Sequence, residues 1–204
     1  TNNVARALTQ APYGRRLKQP IGGDFGLSPR LLQALTKEDV WETDVARFGV
    51  DIWMTTHAIC GGFKIAETPL GAKIHDPKDP AASLGPMFRQ VVGTMFRMMS
   101  KHQDFWKGMT KSEPVPLLGD IPTVEPEPVE ISVANMRTRF ALGLEHFGSV
   151  WKQILGAKRL EQLAAISKQE PDKLEFPMDL WVTTVYDFAV AYPRWQGDRD
   201  QLVE

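Results

Sequence analysis

Apolar residues recur at three- and four-residue spacing in several stretches of the chain, a pattern typical of amphipathic helices that pack on one side. One stretch contains Met87, Val91, Met95 and Met98, and a longer one contains Met136, Phe140, Leu144, Phe147, Trp151 and Leu155. A last helix is predicted through Trp181, Val185, Phe188 and Tyr192. The pattern therefore predicts an α+β fold that is predominantly helical.

Capping residues mark the ends of two shorter helices. Ser28 followed by Pro29 predicts an N-cap and the first residue of a helix, because proline has the backbone angle that a first helical turn needs. A second helix is predicted to start at Val50 and to end at Gly61-Gly62, since glycine adopts the left-handed backbone that ends many helices. This glycine pair is therefore interpreted as a C-cap and not as a phosphate-binding loop.

Two short segments and a proline-rich stretch complete the predicted organisation. Residues 63–67 and 71–74 are predicted to be strands, with a bend between them. Five prolines between Glu113 and Glu130 forbid a continuous helix and favour an extended connector. The acidic residues among them favour a surface connector over a ligand for a proline-binding domain. The predicted parts are thus residues 1–110, a connector over 111–130, and a helical appendage over 131–204.

Composition narrows the class of ligand. The 24 Lys and Arg residues nearly cancel the 25 Asp and Glu residues, so no long-range field attracts nucleic acid or anionic lipid. A small polar substrate is favoured instead. Cys60 is the only cysteine in the 204 residues, which excludes an internal disulfide and favours a cytoplasmic location. No apolar run approaches the roughly 20 residues that a membrane span needs.

Three segments carry side chains with candidate chemistry. Gly22 and Gly23 allow a ligand to approach the backbone, and Asp24 adds a carboxylate just before a helix; a tight turn that Asp24 caps is the alternative. Asp51 begins the predicted second helix, and Thr55, one turn later, could bind a ligand or bond back to the helix. His75 follows the second predicted strand, and imidazole binds divalent metals, although a catalytic metal takes about three ligands.

Read in order, these segments resemble the retaining GT-A glycosyltransferases that make glucosyl- and mannosyl-glycerate compounds, the group of glucosyl-3-phosphoglycerate synthase and mannosylglycerate synthase. The matching blocks are Pro20-Ile21-Gly22-Gly23-Asp24, Gly49-Val50-Asp51, and Leu70-Gly71 with His75. The resemblance implies that Gly22, Gly23, Asp24 and Thr55 bind substrate. It further implies that Asp51 lies near the reacting centre and that His75 binds Mg²⁺ or Mn²⁺.

The chain departs from the group at three places. Asp stands where the group has Glu at positions 24 and 51, and Asp76-Pro77 stands where the phosphoglycerate enzymes have Arg and Asn. The acceptor is therefore left open.

The resemblance implies the C-terminal part of a GT-A fold with a helical appendage, and hence part of a metal-dependent enzyme that moves a hexose from a nucleotide-diphosphate sugar to a small polar, glycerate-like acceptor. The nucleotide-sugar half is expected to precede residue 1, so the chain alone is expected to be inactive. The alternative is a non-catalytic helical module that forms homo-oligomers through its C-terminal helices, for which the apolar stripe from Met136 to Trp151 is the support. Core packing explains that stripe equally well.

Overall fold

The computed structural model describes residues 2–71, 84–120 and 132–203, and these are predominantly helical, as predicted. The described residues contain the helices α1 (Asn2–Tyr13), α2 (Pro29–Leu35), α3 (Val50–Cys60), α4 (Gly85–Lys101), α5 (Gln103–Lys107), α6 (Val133–Ser167) and α7 (Met178–Ala191). Short 3₁₀ turns cover Asp44–Ala46, Pro171–Lys173, Tyr192–Arg194 and Asp200–Leu202. Within the described ranges, no helix combines the length and the apolar character needed to cross a membrane. The GT-A fold stays a prediction.

The sheet lies elsewhere than predicted. Strands β1 (Arg15–Arg16) and β2 (Glu113–Pro114) pair in parallel, with Arg15 opposite Glu113. The strand predicted over residues 63–67 is wrong: residues 63–66 are not in a strand, and Glu67 forms a single bridge to Leu117. Apolar residues stand at alternate positions 63 and 65 because both side chains pack against a helical core. The strand predicted over 71–74 lies outside the described residues after Gly71.

The contacts along the chain divide it into two compact units. Among the described residues, the first unit contains those up to 71, those from 86 to 120 and residue 203, and the second contains 84–85 and 132–202. One core cluster of the first unit is formed by Leu31, Leu35, Val45, Trp53, Ala58 and Met98. Helix α1 packs against α3 and α5 and buries Val4, Ala5, Leu8 and Tyr13.

Local signals in the sequence explain the ends of α2 and α3. Ser28 Oγ accepts a 3.2 Å hydrogen bond from Leu31 N, and Pro29 is the first helical residue, as predicted. At the end of α3, Phe63 N donates to Ala58 O at 3.0 Å and Gly62 N donates to Ile59 O at 3.1 Å. Gly62 has φ +69°, which favours glycine, so the predicted C-cap is confirmed as a Schellman motif.

The long predicted helices form, with differences in burial. In α4, Val91, Met95 and Met98 are buried, as the spacing predicts. In the second unit, α6 is broken at Gly156, whose φ is +76°. The core of this unit contains Leu155, Leu163, Ile166 and Leu180, with Phe140, Leu144 and Trp151 half-buried against it. The middle and end of the stripe therefore face a core within their own unit, whereas Met136 at its start is 48% exposed.

The last predicted helix differs in detail. Helix α7 ends at Ala191, and Tyr192 follows in a 3₁₀ turn, where it is buried. Trp181 is 40% exposed, although its ring packs at 5.8 Å from that of Phe176. The sequence thus located α7 correctly but did not distinguish its buried side from its exposed side.

Candidate functional site

The segment that carries Gly22, Gly23 and Asp24 is held at its base by a carboxylate. Glu67 Oε1 accepts hydrogen bonds from Lys18 N at 2.7 Å and from Gln19 N at 3.0 Å. The backbone of Glu67 is fixed in turn, because its N–H donates to Pro116 O at 2.9 Å and its carbonyl accepts from Leu118 N at 2.8 Å. The segment after β1 is therefore tied to the stretch that follows β2.

A second bond joins the same segment to α3. Thr55 Oγ1 donates a 2.7 Å hydrogen bond to Pro20 O, and Thr55 is only 7% exposed while Pro20 is fully buried. Thr55 lies four residues after Asp51, so both side chains are on one face of α3. That face is therefore turned toward the base of the glycine segment.

The tip of the glycine segment is exposed between two fixed ends. Residues 22–26 are exposed, whereas Pro20 is bonded to Thr55 and Leu27 packs against the core of the first unit. Gly23 has φ +79°, a conformation that other residues rarely adopt. Asp24 lies four residues after Pro20, so the chain can carry it at most about 14 Å from that anchor. This geometry gives a rigid base and an accessible tip.

The start of α3 is fixed by a close packing contact. Gly49 is the N-cap of α3, and a Cβ at this position would lie 2.3 Å from Thr94 Oγ1 and 2.8 Å from Asp44 O. Only glycine therefore allows this approach to α4. Arg97 of α4 forms an ion pair with Asp44 and donates a 3.3 Å hydrogen bond to Thr94 Oγ1. These contacts hold half-buried Asp51 in the first turn of α3, where a carboxylate interacts favourably with the helix dipole.

The predicted site residues thus divide into two groups. The glycine segment and the Asp51 face of α3 are brought together through the bond between Thr55 and Pro20. Thr55 uses its hydroxyl as a donor within the chain, so its contact in this structure is a structural one. His75, the predicted metal ligand, and the neighbouring Asp76 lie outside the described residues. In the ranges 2–71, 84–120 and 132–203, no three His, Cys, Asp or Glu residues are arranged to hold a metal ion.

Cys60 in the last turn of α3 is not an activated nucleophile. Burial raises the pKa of its thiol to about 12, so the thiolate is scarce at neutral pH. Burial, and secondarily the charge of Cys60, raise the pKa of Tyr13 well above its ordinary value. Both groups therefore stay protonated and serve as packing residues between α1 and α3.

The roles of two residues that shape the site were not predicted from the sequence. Glu67 fixes the base of the glycine segment, but its partners Lys18 and Gln19 are about fifty positions away along the chain, at 49 and 48 residues. Gly49 belongs to a block that the resemblance matched, but its close packing against Thr94 of α4 was not predicted. Both contacts join segments that are distant along the chain, so they are set by tertiary structure.

Comparison of the chain with protein-family models, with curated proteins and with solved structures finds no match in any of the three.

Proposed function

We propose that the first unit carries the acceptor side of a glycosyltransferase site, in an enzyme that moves a hexose from a nucleotide-diphosphate sugar to a small polar acceptor. The observation that supports this function is the 2.7 Å bond from Thr55 to Pro20, because it links the glycine segment to the face of α3 that carries Asp51. The resemblance to the GT-A group pointed to these same two segments independently.

The arrangement suits recognition of sugar hydroxyl groups. A carboxylate accepts hydrogen bonds from two neighbouring hydroxyls, and bonds to a charged group are about twice as strong as neutral ones. Asp24 lies on the exposed tip, where small neighbours leave the backbone amides accessible to a ligand. The fixed base at Lys18 and Gln19 limits the entropy that is lost when a ligand binds.

Asp51 is the proposed catalytic residue. In hexosyl transfer, the bond between the anomeric carbon and the phosphate oxygen breaks, and the nucleoside diphosphate leaves with the bonding electron pair. An acceptor hydroxyl oxygen bonds to that carbon, and its proton passes to the departing diphosphate or to solvent. Positive charge develops on the sugar ring during this exchange. A fixed carboxylate near the anomeric carbon either stabilises that charge or orients the acceptor hydroxyl, and Asp51 is proposed for one of these two roles.

No step of this proposal runs through a metal. The described residues alone do not supply the several oxygen ligands that Mg²⁺ or Mn²⁺ prefers. His75 lies outside the described ranges, so its role as a ligand of such an ion stays a prediction. Further ligands would have to come from elsewhere.

The proposal is tested by ligand binding to the chain itself. We expect glucose, mannose or glycerate at millimolar concentration to shift the backbone amide NMR signals of Gly22, Gly23, Asp24 and Asp51 together. Asp24→Asn is expected to weaken this response at least about tenfold, which corresponds to the loss of one charge-assisted hydrogen bond. Asp104→Asn is the matched control, because Asp104 lies in the first turn of another helix and its side chain is fully exposed.

The opposite result is equally clear. The proposed acceptor site is contradicted if saturating sugar and acceptor leave these four signals unchanged. It is also contradicted if Asp24→Asn responds to the ligands as Asp104→Asn does.

The second candidate function, a helical interaction module, is favoured by the surface of α7. Met178 is 70% exposed, and Trp181 and Val182 are 40% and 41% exposed. Scattered exposed apolar residues are common on monomeric proteins, so this surface supports an interaction module only if the chain self-associates through it. Sedimentation equilibrium distinguishes the two functions. An oligomer that dissociates in the Val182→Lys variant would favour the interaction module. A mass that stays that of the monomer at all concentrations would exclude homo-oligomers.

A further inference from the structure

A cluster of charged and titratable groups in the first unit is separate from the proposed acceptor site. Lys101, the last residue of α4, places its Nζ atom 2.5 Å from Glu38 Oε2. Glu38 follows α2, and its N–H donates to Leu35 O at 3.2 Å. His102 comes directly after Lys101 and is the N-cap of α5. His57 enters the same cluster from the last turn of α3.

Both histidines are packed without polar partners at one ring nitrogen. The Nδ1 atom of His57 and the Nε2 atom of His102 are buried, and neither has a hydrogen-bond partner among the described residues. The ring of His57 lies 6.0 Å from that of Trp53, which is itself buried in the core. A proton added at these nitrogens would place a positive charge on a buried atom that has no acceptor among the described residues.

Burial acts against protonation of both histidines, while the surrounding charges oppose one another. At His57 the Glu38 carboxylate, which favours protonation, has a larger effect on the pKa than the Lys101 ammonium. Burial is the largest cause that lowers the pKa of His57 and of His102, and the Lys101 ammonium lowers both further. A charge on His57 lowers the pKa of His102 as well. Glu38 is the one opposing group in this cluster, and its carboxylate is already bonded to Lys101, which lowers the Glu38 pKa.

We propose that His57 and His102 act together as an acid-sensitive element of the first unit, which is packed while both are neutral and loosens at the junction of α3, α4 and α5 when they take up protons. Histidine is the side chain suited to such a role, because it titrates close to physiological pH. The element is independent of glycosyl transfer and would operate with or without it.

The direction of the effect follows from proton linkage. In the unfolded chain the histidines titrate near their ordinary value of about 6.5, whereas in the folded unit they titrate lower. Below about pH 6.5 the unfolded state therefore binds more protons than the folded state. The free energy of unfolding should fall with decreasing pH until the folded histidines are also protonated.

The first experiment compares urea midpoints at about pH 7.5 and about pH 5.5, followed by the indole N–H signal of Trp53, which reports on the first unit alone. We expect a lower midpoint at the acid pH for the wild type, and a smaller difference for the double variant His57→Gln with His102→Gln. His146→Gln is the matched control, because His146 lies on an exposed position of α6 in the second unit, and it should behave as wild type.

A second measurement needs no variant. NMR titration of the imidazole carbon-bound protons in the wild-type chain should show His57 and His102 protonating below about pH 6.5, the ordinary midpoint. The proposal is overturned if both titrate at or above that value, or if the double variant keeps the full wild-type loss of midpoint. Should the double variant fail to fold, the titration alone decides.

Discussion

The hydroxyl of Thr55 lies 2.7 Å from the carbonyl oxygen of Pro20, a residue 35 positions earlier in the chain. Both groups are buried, so neither can exchange its partner for water. Through this bond the irregular segment that contains Pro20 is fixed against the helix that carries Thr55.

Removing that bond should destabilise the first unit. Thr55→Val keeps the side-chain shape but leaves the buried Pro20 carbonyl without its donor, which costs about 1–3 kcal/mol of unfolding free energy. The control is Thr68→Val, because Thr68 Oγ1 donates a 2.8 Å bond to Leu118 O at an exposed site. Urea denaturation of both variants checks this: equal losses would mean that the buried bond contributes no more than the exposed one.

Gly49 is predicted to tolerate no side chain. Gly49→Ala would place a Cβ atom 2.3 Å from Thr94 Oγ1, so the backbone would have to shift. Overpacking of this kind lowers the free energy of unfolding by about 1–3 kcal/mol. Gly85→Ala is the control, since a Cβ there meets nothing within 4 Å. We expect a lower thermal midpoint for the first variant only, and a wild-type midpoint for Gly49→Ala would show that α3 and α4 are not in this contact.

Several features of the fold follow from short-range rules, and these were predictable. The N-cap at Ser28 and the C-cap at Gly62 depend on residues within about one helical turn, so the sequence alone identifies both caps. The burial of Val91 and Met95 follows from helical spacing alone. In each case the determining interaction lies within a few residues of the position it fixes.

Other features depend on contacts between distant segments and were missed. The parallel pair of β1 and β2 joins Arg15 to Glu113, and each strand has only two residues, too few to show alternation. Helix α1 was not predicted, although Val4, Ala5 and Leu8 have the spacing of a buried helical face. For the site, the glycine segment and Asp51 were identified by resemblance, but their link through Thr55 required the structure.

The second unit offers an independent test of packing on α6. Trp151 stacks at 6.2 Å from Phe140 and contacts Phe188 edge-on at 6.2 Å, although it is only half-buried. Trp151→Ala should therefore lower the free energy of unfolding by about 2–4 kcal/mol, somewhat less than the same change at a fully buried aromatic residue. Met178→Ala, at a 70% exposed position, is expected to change unfolding free energy by less than about 0.5 kcal/mol. A Trp151 loss as small as the Met178 loss would contradict this packing.

Cys60, which is half-buried, should react more slowly than an exposed thiol. With its pKa raised to about 12, the thiolate fraction at pH 8 is about a thousandfold lower than for an ordinary cysteine, so a disulfide reagent should react about a thousandfold more slowly with the folded chain than in urea. Above about pH 8.5 the unfolded thiol ionises first, so this group should lower stability as pH rises. Equal rates in the folded and unfolded chain would contradict the burial.

Asp51 and the glycine segment are proposed to serve glycosyl transfer, and turnover by the full-length protein is the most direct measurement of that role. Transfer of labelled hexose from UDP-glucose or GDP-mannose to glycerate, with Mg²⁺ or Mn²⁺ present, should be detectable in the wild type. Asp51→Asn should reduce kcat at least about 100-fold, as for the loss of one electrostatic contact to a transition state, while Asp104→Asn keeps wild-type turnover. Wild-type turnover by Asp51→Asn, or no transfer by the intact protein with either donor, would contradict the claim.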